Sequence, residues 1–172
     1  ALLGLLALVW YNGIYTPLKR ITAFAVVPGS VIGALPPAIG WTTAGGAVAD
    51  PALLSLCFVF FMWQVPHFWI LSLRHQQDYA RAGLPTIGEL FSLAQVHRLI
   101  FTWTSASVAA SVLMLLFQAV SGIVASIALV VAGVWLVQKF TWMLHAAADH
   151  VRLRASFMDI NRYALALMAA VI

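Results

Sequence analysis

Residues 61 to 83, FMWQVPHFWILSLRHQQDYARAG, begin as a membrane-spanning run and end in a polar segment with Arg74, His75, Gln76, Gln77, Asp78 and Arg81. Placed on one helix at 100° per residue, Gln64, His67, Leu71, Arg74 and Asp78 are spaced 3, 4, 3 and 4 apart. They fall within about one quadrant of the helix. The expectation is a single helix that combines apolar anchoring with one polar, ionic face, while Phe68, Trp69 and Leu73 point toward lipid or neighbouring helices.

The rest of the chain suits that helix. Of its 172 residues 63% are hydrophobic and 8% charged, and the mean hydropathy is +0.98. A soluble domain carries about 25% charged residues, so the composition describes an integral membrane protein. The net charge of +4 comes from residues set between apolar segments. No basic run interleaved with aromatics is present, which excludes nucleic-acid binding. A single cysteine, Cys57 in an apolar run, excludes a disulfide framework and a cysteine metal cluster; it reads as a packing residue.

At about 20 apolar residues per span, six membrane segments are expected: about 1–15, 21–41, 51–73, 99–119, 122–144 and 156–172. With no soluble domain between them, the chain is one all-α, polytopic transmembrane bundle. It opens on ALLGLLALVW without a Met or a positive n-region, which argues against a signal peptide. It ends on ALALMAAVI, so residues upstream, and a few downstream, are expected to be missing. All nine basic residues, Lys19, Arg20, Arg74, Arg81, Arg98, Lys139, Arg152, Arg154 and Arg162, fall at connections or span ends of one side. The positive-inside rule makes that side cytoplasmic or its organellar equivalent.

Within the second segment, Ala25, Gly29 and Gly33 would let another helix approach closely, and the Pro36–Pro37 pair should bend or break the span. Gly83, Pro85 and Gly88 should end the helix carrying Asp78, with a short interfacial helix expected over Glu89 to His97.

Ionisable groups near a membrane interior are functional candidates. Asp78 can bind Mg²⁺, which takes oxygen ligands and shares its shell with substrate phosphates; it can equally pair with Arg74 or Arg81 one helical turn away. Lys19, Arg20, Arg74 and Arg81 can hold phosphate oxygens or serve as headgroup anchors. The imidazole of His67 can ligate a haem iron, assist proton transfer or simply bridge two helices. Trp63, Phe68 and Trp69 can offer π faces to a developing carbocation or act as packing residues. His75, His97, His145 and His150 read as residues of the polar edge, with His145 and Asp149 close enough in sequence to meet.

YTPLKR (15–20), GALPPAIGW (33–41), WQVPHFWILSLRHQQDYARAG (63–83) and the following Leu84–Pro85 together resemble the haem farnesyltransferases of the UbiA prenyltransferase superfamily. The resemblance implies a nine-helix intramembrane bundle whose cavity opens toward the charged side, with this chain as helices four to nine. It implies transfer of the farnesyl group of farnesyl diphosphate to a vinyl group of haem b, with addition of water, giving haem O. Mg²⁺ would accompany the diphosphate, and haem b would be substrate rather than cofactor. Asp78 and Tyr79 fall in the second Asp-rich motif, Lys19 and Arg20 in the LKR motif, and Gln64, Pro66, His67 and Phe68 in the WQxPHF motif. The implied catalytic set is His67, Asp78 and Tyr79, with Asp78 on the metal. Lys19, Arg20, Arg74 and Arg81 would serve the diphosphate, and Trp63, Gln64 and Phe68 would line the substrate cavity. The setting would be a bacterial or mitochondrial inner membrane, with haem A synthase or oxidase assembly factors as partners.

Three departures qualify the resemblance. The first Asp-rich motif has no counterpart, Ile21 and Ala23–Phe24 replace a more polar continuation, and Leu84 to Ile87 differs from the usual Met-Leu-Pro. This stretch alone is therefore expected not to catalyse transfer. The rival readings are a non-catalytic haem-handling or assembly subunit, and a prenyltransferase with a quinone or chlorophyll-precursor acceptor.

Overall fold

A computed structural model describes residues 1–145 and 150–171. In order they form α1 (Leu2–Leu18), α2 (Ala23–Thr43), α3 (Pro51–Arg74), α4 (Gln76–Arg81), α5 (Ile87–Leu90), α6 (Leu93–Leu116), α7 (Ile123–Leu144) and α8 (His150–Val171). α1 carries a stretch of wider π-type turns over Trp10–Tyr15, and α7 tightens to 3-10 geometry over Thr141–Leu144.

α3 is the central helix, packed against α2, α6 and α8. Its start is written locally: the Asp50 carboxylate accepts from the Ala52 N–H at 2.8 Å, and Pro51 occupies the first turn, where its missing donor costs nothing. Its 24 residues rise about 36 Å, enough to cross a hydrocarbon core of about 30 Å. Val59, Val65 and Ile70 are completely buried.

α2, α3, α6 and α7 are each long and apolar enough to cross a membrane; α1 is apolar but shorter. α8 has the length, yet it carries Arg152 and Arg154 in its first turns and Asp159 and Arg162 near its middle. On α7 the side chains of Ile123, Val124, Ile127, Val131 and Val134 are exposed. Such a row is tolerable in hydrocarbon and a liability in water. The chain is a polytopic helical membrane protein.

The structure corrects four details. The helix expected to run from 61 to 83 is broken at His75, where φ is −110° and ψ 26°. Leu73 is buried while His75, Gln76, Gln77 and Asp78 are exposed, so beyond Arg74 no packed face holds the chain straight. α2 does not end at Pro36 and Pro37; with Leu35 and Ala38 buried, its neighbours support the helix through them. The discontinuity lies earlier, at the buried Ser30, whose Oγ donates to Val26 O at 2.7 Å. The short helix expected over Glu89–His97 is confined to Ile87–Leu90, because Ser92 and Gln95 form a capping box that starts α6 at Leu93. His97 therefore lies inside α6, fully buried, its ring 5.2 Å from that of Trp142, rather than at the polar edge.

The small residues of α2 admit two different neighbours. A Cβ on Gly29 would meet the Tyr15 ring at 2.5 Å, and one on Gly33 would meet Gln64 Oε1 at 2.5 Å. Cys57 donates to Ala34 O across the same seam, at 3.2 Å. On the far side of the bundle, Tyr163 Oη donates to Ser111 Oγ (2.8 Å), which donates to Val108 O (2.6 Å). Gly133 of α7 makes room there: a Cβ on it would stand 2.7 Å from Val108 Cγ1.

Candidate functional site

The residues picked out by sequence are divided by the structure among five places. Trp63 and Gln64 line an apolar groove of about 500 Å³ between α2, α3 and α8, together with Gly33, Pro37, Phe60 and Met168. Its floor is shaped by the absent side chain of Gly33, against which Gln64 is packed.

One turn further along α3, His67 lies between two rings. Its centroid is 4.7 Å from Trp63 and 4.9 Å from Phe157 of α8, with interplanar angles of 36° and 37°. Phe68 meets it edge-on at 5.5 Å. Nδ1 of His67 is buried and has no hydrogen-bond partner among the described residues. Trp63 is itself fixed, since its Nε1 donates to Ile160 O at 2.9 Å. Trp69 is core, 1% exposed, and stacks edge-on with Phe24 and Trp103.

A cavity of about 110 Å³ lies where the end of α1, the start of α2, α3 and the 84–87 loop converge; Tyr15, Lys19, Phe68, Trp69, Tyr79 and Thr86 are among its walls. Lys19 Nζ sits 5.7 Å from the Tyr15 ring centroid, a cation–π distance. The local fold explains how Tyr79 arrives there. α4 closes in a Schellman motif, with Leu84 N–H donating to Tyr79 O (3.0 Å), Gly83 N–H to Ala80 O (3.0 Å), and Gly83 at φ +64°.

The fourth place is an open pocket of about 550 Å³ lined by Arg74, His75, Gln76, Gln77 and Asp78. Asp78 is 67% exposed; its Oδ2 lies 3.4 Å from His75 Nδ1 and its Oδ1 3.8 Å from Arg81 Nη1. Arg74 instead places its guanidinium 5.0 Å from the Phe157 centroid. Arg20 lines a further opening with Gly83 and Glu89. Lys19, Phe68 and Tyr79 are thus brought to one cavity, and Arg74 and Asp78 to the next, while His67 is held by rings between them.

Among the described residues, no group of three or more His, Cys, Asp or Glu side chains converges as a metal site. His145 is exposed, and the Asp149 half of its possible pair lies outside the described residues. Tyr15, Thr86 and Phe157 were not singled out from sequence. Tyr15 had a signal, since it opens the YTPLKR motif. Phe157 had none, because it meets His67 from a helix about ninety residues away.

The assembly is an intramembrane helical bundle whose basic and hydroxyl-bearing pockets border an aromatic wall. The chain belongs to the UbiA prenyltransferase family, whose model matches residues 1–163. Among relatives, it is similar to proteins named protoheme IX farnesyltransferase. One from Mycobacterium bovis is 37% identical over 179 residues, covering 98% of this chain and 56% of that protein. One from Nitratidesulfovibrio vulgaris is 36% identical over 155 residues, covering 85% and 53%. A third, from Geobacter sulfurreducens, reaches 58% over 84 residues, covering 49% and 31%. The chain spans about half the length of the curated relatives it matches, or less. No solved structure matches it.

Proposed function

We propose that the whole protein transfers the farnesyl group of farnesyl diphosphate to a vinyl group of haem b, with addition of water, giving haem O. The observation that carries this reading is the convergence of Lys19 and Tyr79, from two motifs sixty residues apart, on one cavity beside Phe68. Arg74 and Asp78 border the pocket next to it. Relatives named for farnesyl transfer to protohaem supply the substrate classes.

In this reading Lys19, Arg20, Arg74 and Arg81 bind diphosphate oxygens, arginine through paired donors. Asp78 is one exposed carboxylate whose oxygens face His75 and Arg81 at 3.4 and 3.8 Å. That suits Mg²⁺ in part, because this ion keeps several waters and takes only one or two carboxylates beside substrate phosphates. Asp78 would hold Mg²⁺ there, and the ion would supply charge neutralisation for the diphosphate. Tyr79 orients the diphosphate from the cavity side. His67 contacts the haem or the farnesyl chain, and Trp63, Gln64 and Phe68 keep water from the allylic centre until transfer. Six membrane spans in one domain, with the basic corners facing the cytoplasm or matrix of an inner membrane, complete the proposal. Haem A synthase or oxidase assembly factors would receive the product.

Mass spectrometry of haem extracted from membranes containing the whole protein tests this. Haem O should appear with farnesyl diphosphate and Mg²⁺, and Asp78→Asn should reduce it about a hundredfold or more, the scale of a lost charge-stabilising group. Unchanged product would remove Asp78 from the site. A haem Soret band lost on His67→Ala, with no diphosphate release from the parent protein, would favour a haem-handling role instead.

A further inference from the structure

We propose that Phe157 is a positioning residue that holds His67 and Arg74 of α3 at a fixed separation on one wall, a role that rests on the transfer reaction proposed above. His67 and Arg74 are seven residues apart, which on a helix is two turns and about 10.5 Å of rise on nearly the same face. One ring lies between them. Its centroid is 4.9 Å from the His67 ring and 5.0 Å from the Arg74 guanidinium carbon.

The need for such a spacer follows from what each neighbour lacks. A functional histidine is commonly oriented by a hydrogen bond from one ring nitrogen to a carboxylate or carbonyl. The buried Nδ1 of His67 has no such partner among the described residues, so its ring is oriented by Trp63 on one side and Phe157 on the other. Arg74 is a long, rotamer-rich side chain, and Asp78 directs its oxygens to His75 and Arg81. The ring face of Phe157 is what Arg74 rests on, through a cation–π contact.

α8 also secures the stack from its other end. Trp63 Nε1 donates to Ile160 O at 2.9 Å, three residues beyond Phe157, which locks the register of α8 against α3. Phe157 O accepts from Asn161 Nδ2 at 2.6 Å, a bond internal to α8. The last helix thus sets the spacing between the acceptor-side ring and the diphosphate-side cation, while neither of its own groups needs to touch substrate.

The test uses the whole protein in detergent with Phe157→Leu, which keeps the apolar volume and removes the ring, and Phe157→Tyr, which keeps the ring. Two readouts are needed: prenyl-transfer kinetics, and carbethoxylation of His67 by diethyl pyrocarbonate followed by peptide mass spectrometry. Phe157→Leu should melt close to the parent, lose about tenfold in kcat with little change in KM for farnesyl diphosphate, as small misplacements do, and label several-fold faster at His67. Phe157→Tyr should restore both. His67 labelling unchanged in Phe157→Leu, or Phe157→Tyr as impaired as Phe157→Leu, would overturn the proposal. If the parent transfers no prenyl group yet labelling still follows the ring, the clamp stands and the assigned reaction falls.

Discussion

α8 meets two of its neighbours, α6 and α3, in opposite ways. Against α6 it makes a closed chain of hydrogen bonds, Tyr163 to Ser111 to the Val108 carbonyl, in which each hydroxyl proton finds an acceptor. Against α3 it makes a stack of rings around His67 and leaves the imidazole Nδ1 without a partner among the described residues. Buried polar groups are normally satisfied, and one that is not invites a functional explanation. The first seam satisfies its polar groups within the bundle; the second leaves one open among the described residues, which the proposed function would use.

Three substitutions would break or sharpen that contrast. His67→Ala should have the largest effect, lowering haem O formation about a hundredfold, the scale of a lost acid–base or orienting group. Its melting temperature should fall modestly, because the ring contacts with Trp63, Phe68 and Phe157 are lost but no hydrogen bond at Nδ1 among the described residues is; a large drop in melting temperature with normal turnover would erase the distinction. Gly133→Ala should do the reverse. Its new methyl meets the branched, stiff Val108 side chain, and overpacking of this kind costs about 1–3 kcal/mol, read as lowered thermal stability with the kcat of surviving protein unchanged. Tyr163→Phe is the smallest, about 0.6 kcal/mol as for interhelical hydrogen bonds in membranes, again with normal turnover.

Four of the six expected spans, α2, α3, α6 and α7, were legible because a bilayer imposes a length and an apolar composition that survive in any sequence written for it. α7, expected over 122–144, is found at Ile123–Leu144. α6 was misjudged at its start because Ser92 and Gln95 cap it with polar side chains, which hydropathy reads as loop. The polar face from Gln64 to Arg74 was equally readable from spacing. Its extension to Asp78 was not, since periodicity carries no information about where a core stops and a helix loses its support. Phe157 lay beyond reach for a different reason: a ring that packs from a distant helix looks, in sequence, like any other apolar residue of that helix.

For the reaction proposed above, the discontinuity at His75 has a consequence for how two unlike substrates would be gripped at once. One is a stiff aromatic plane; the other ends in a flexible, highly charged tail. Had α3 run on unbroken, the distance from imidazole to carboxylate would be dictated by helical pitch alone, and improving the fit to one molecule would spoil the fit to the other. A joint of one residue separates the two adjustments. The aromatic wall can stay as rigid as the bilayer interior requires, while the short arm carrying Asp78 and Tyr79 takes its bearing from Gly83 and the loop behind it.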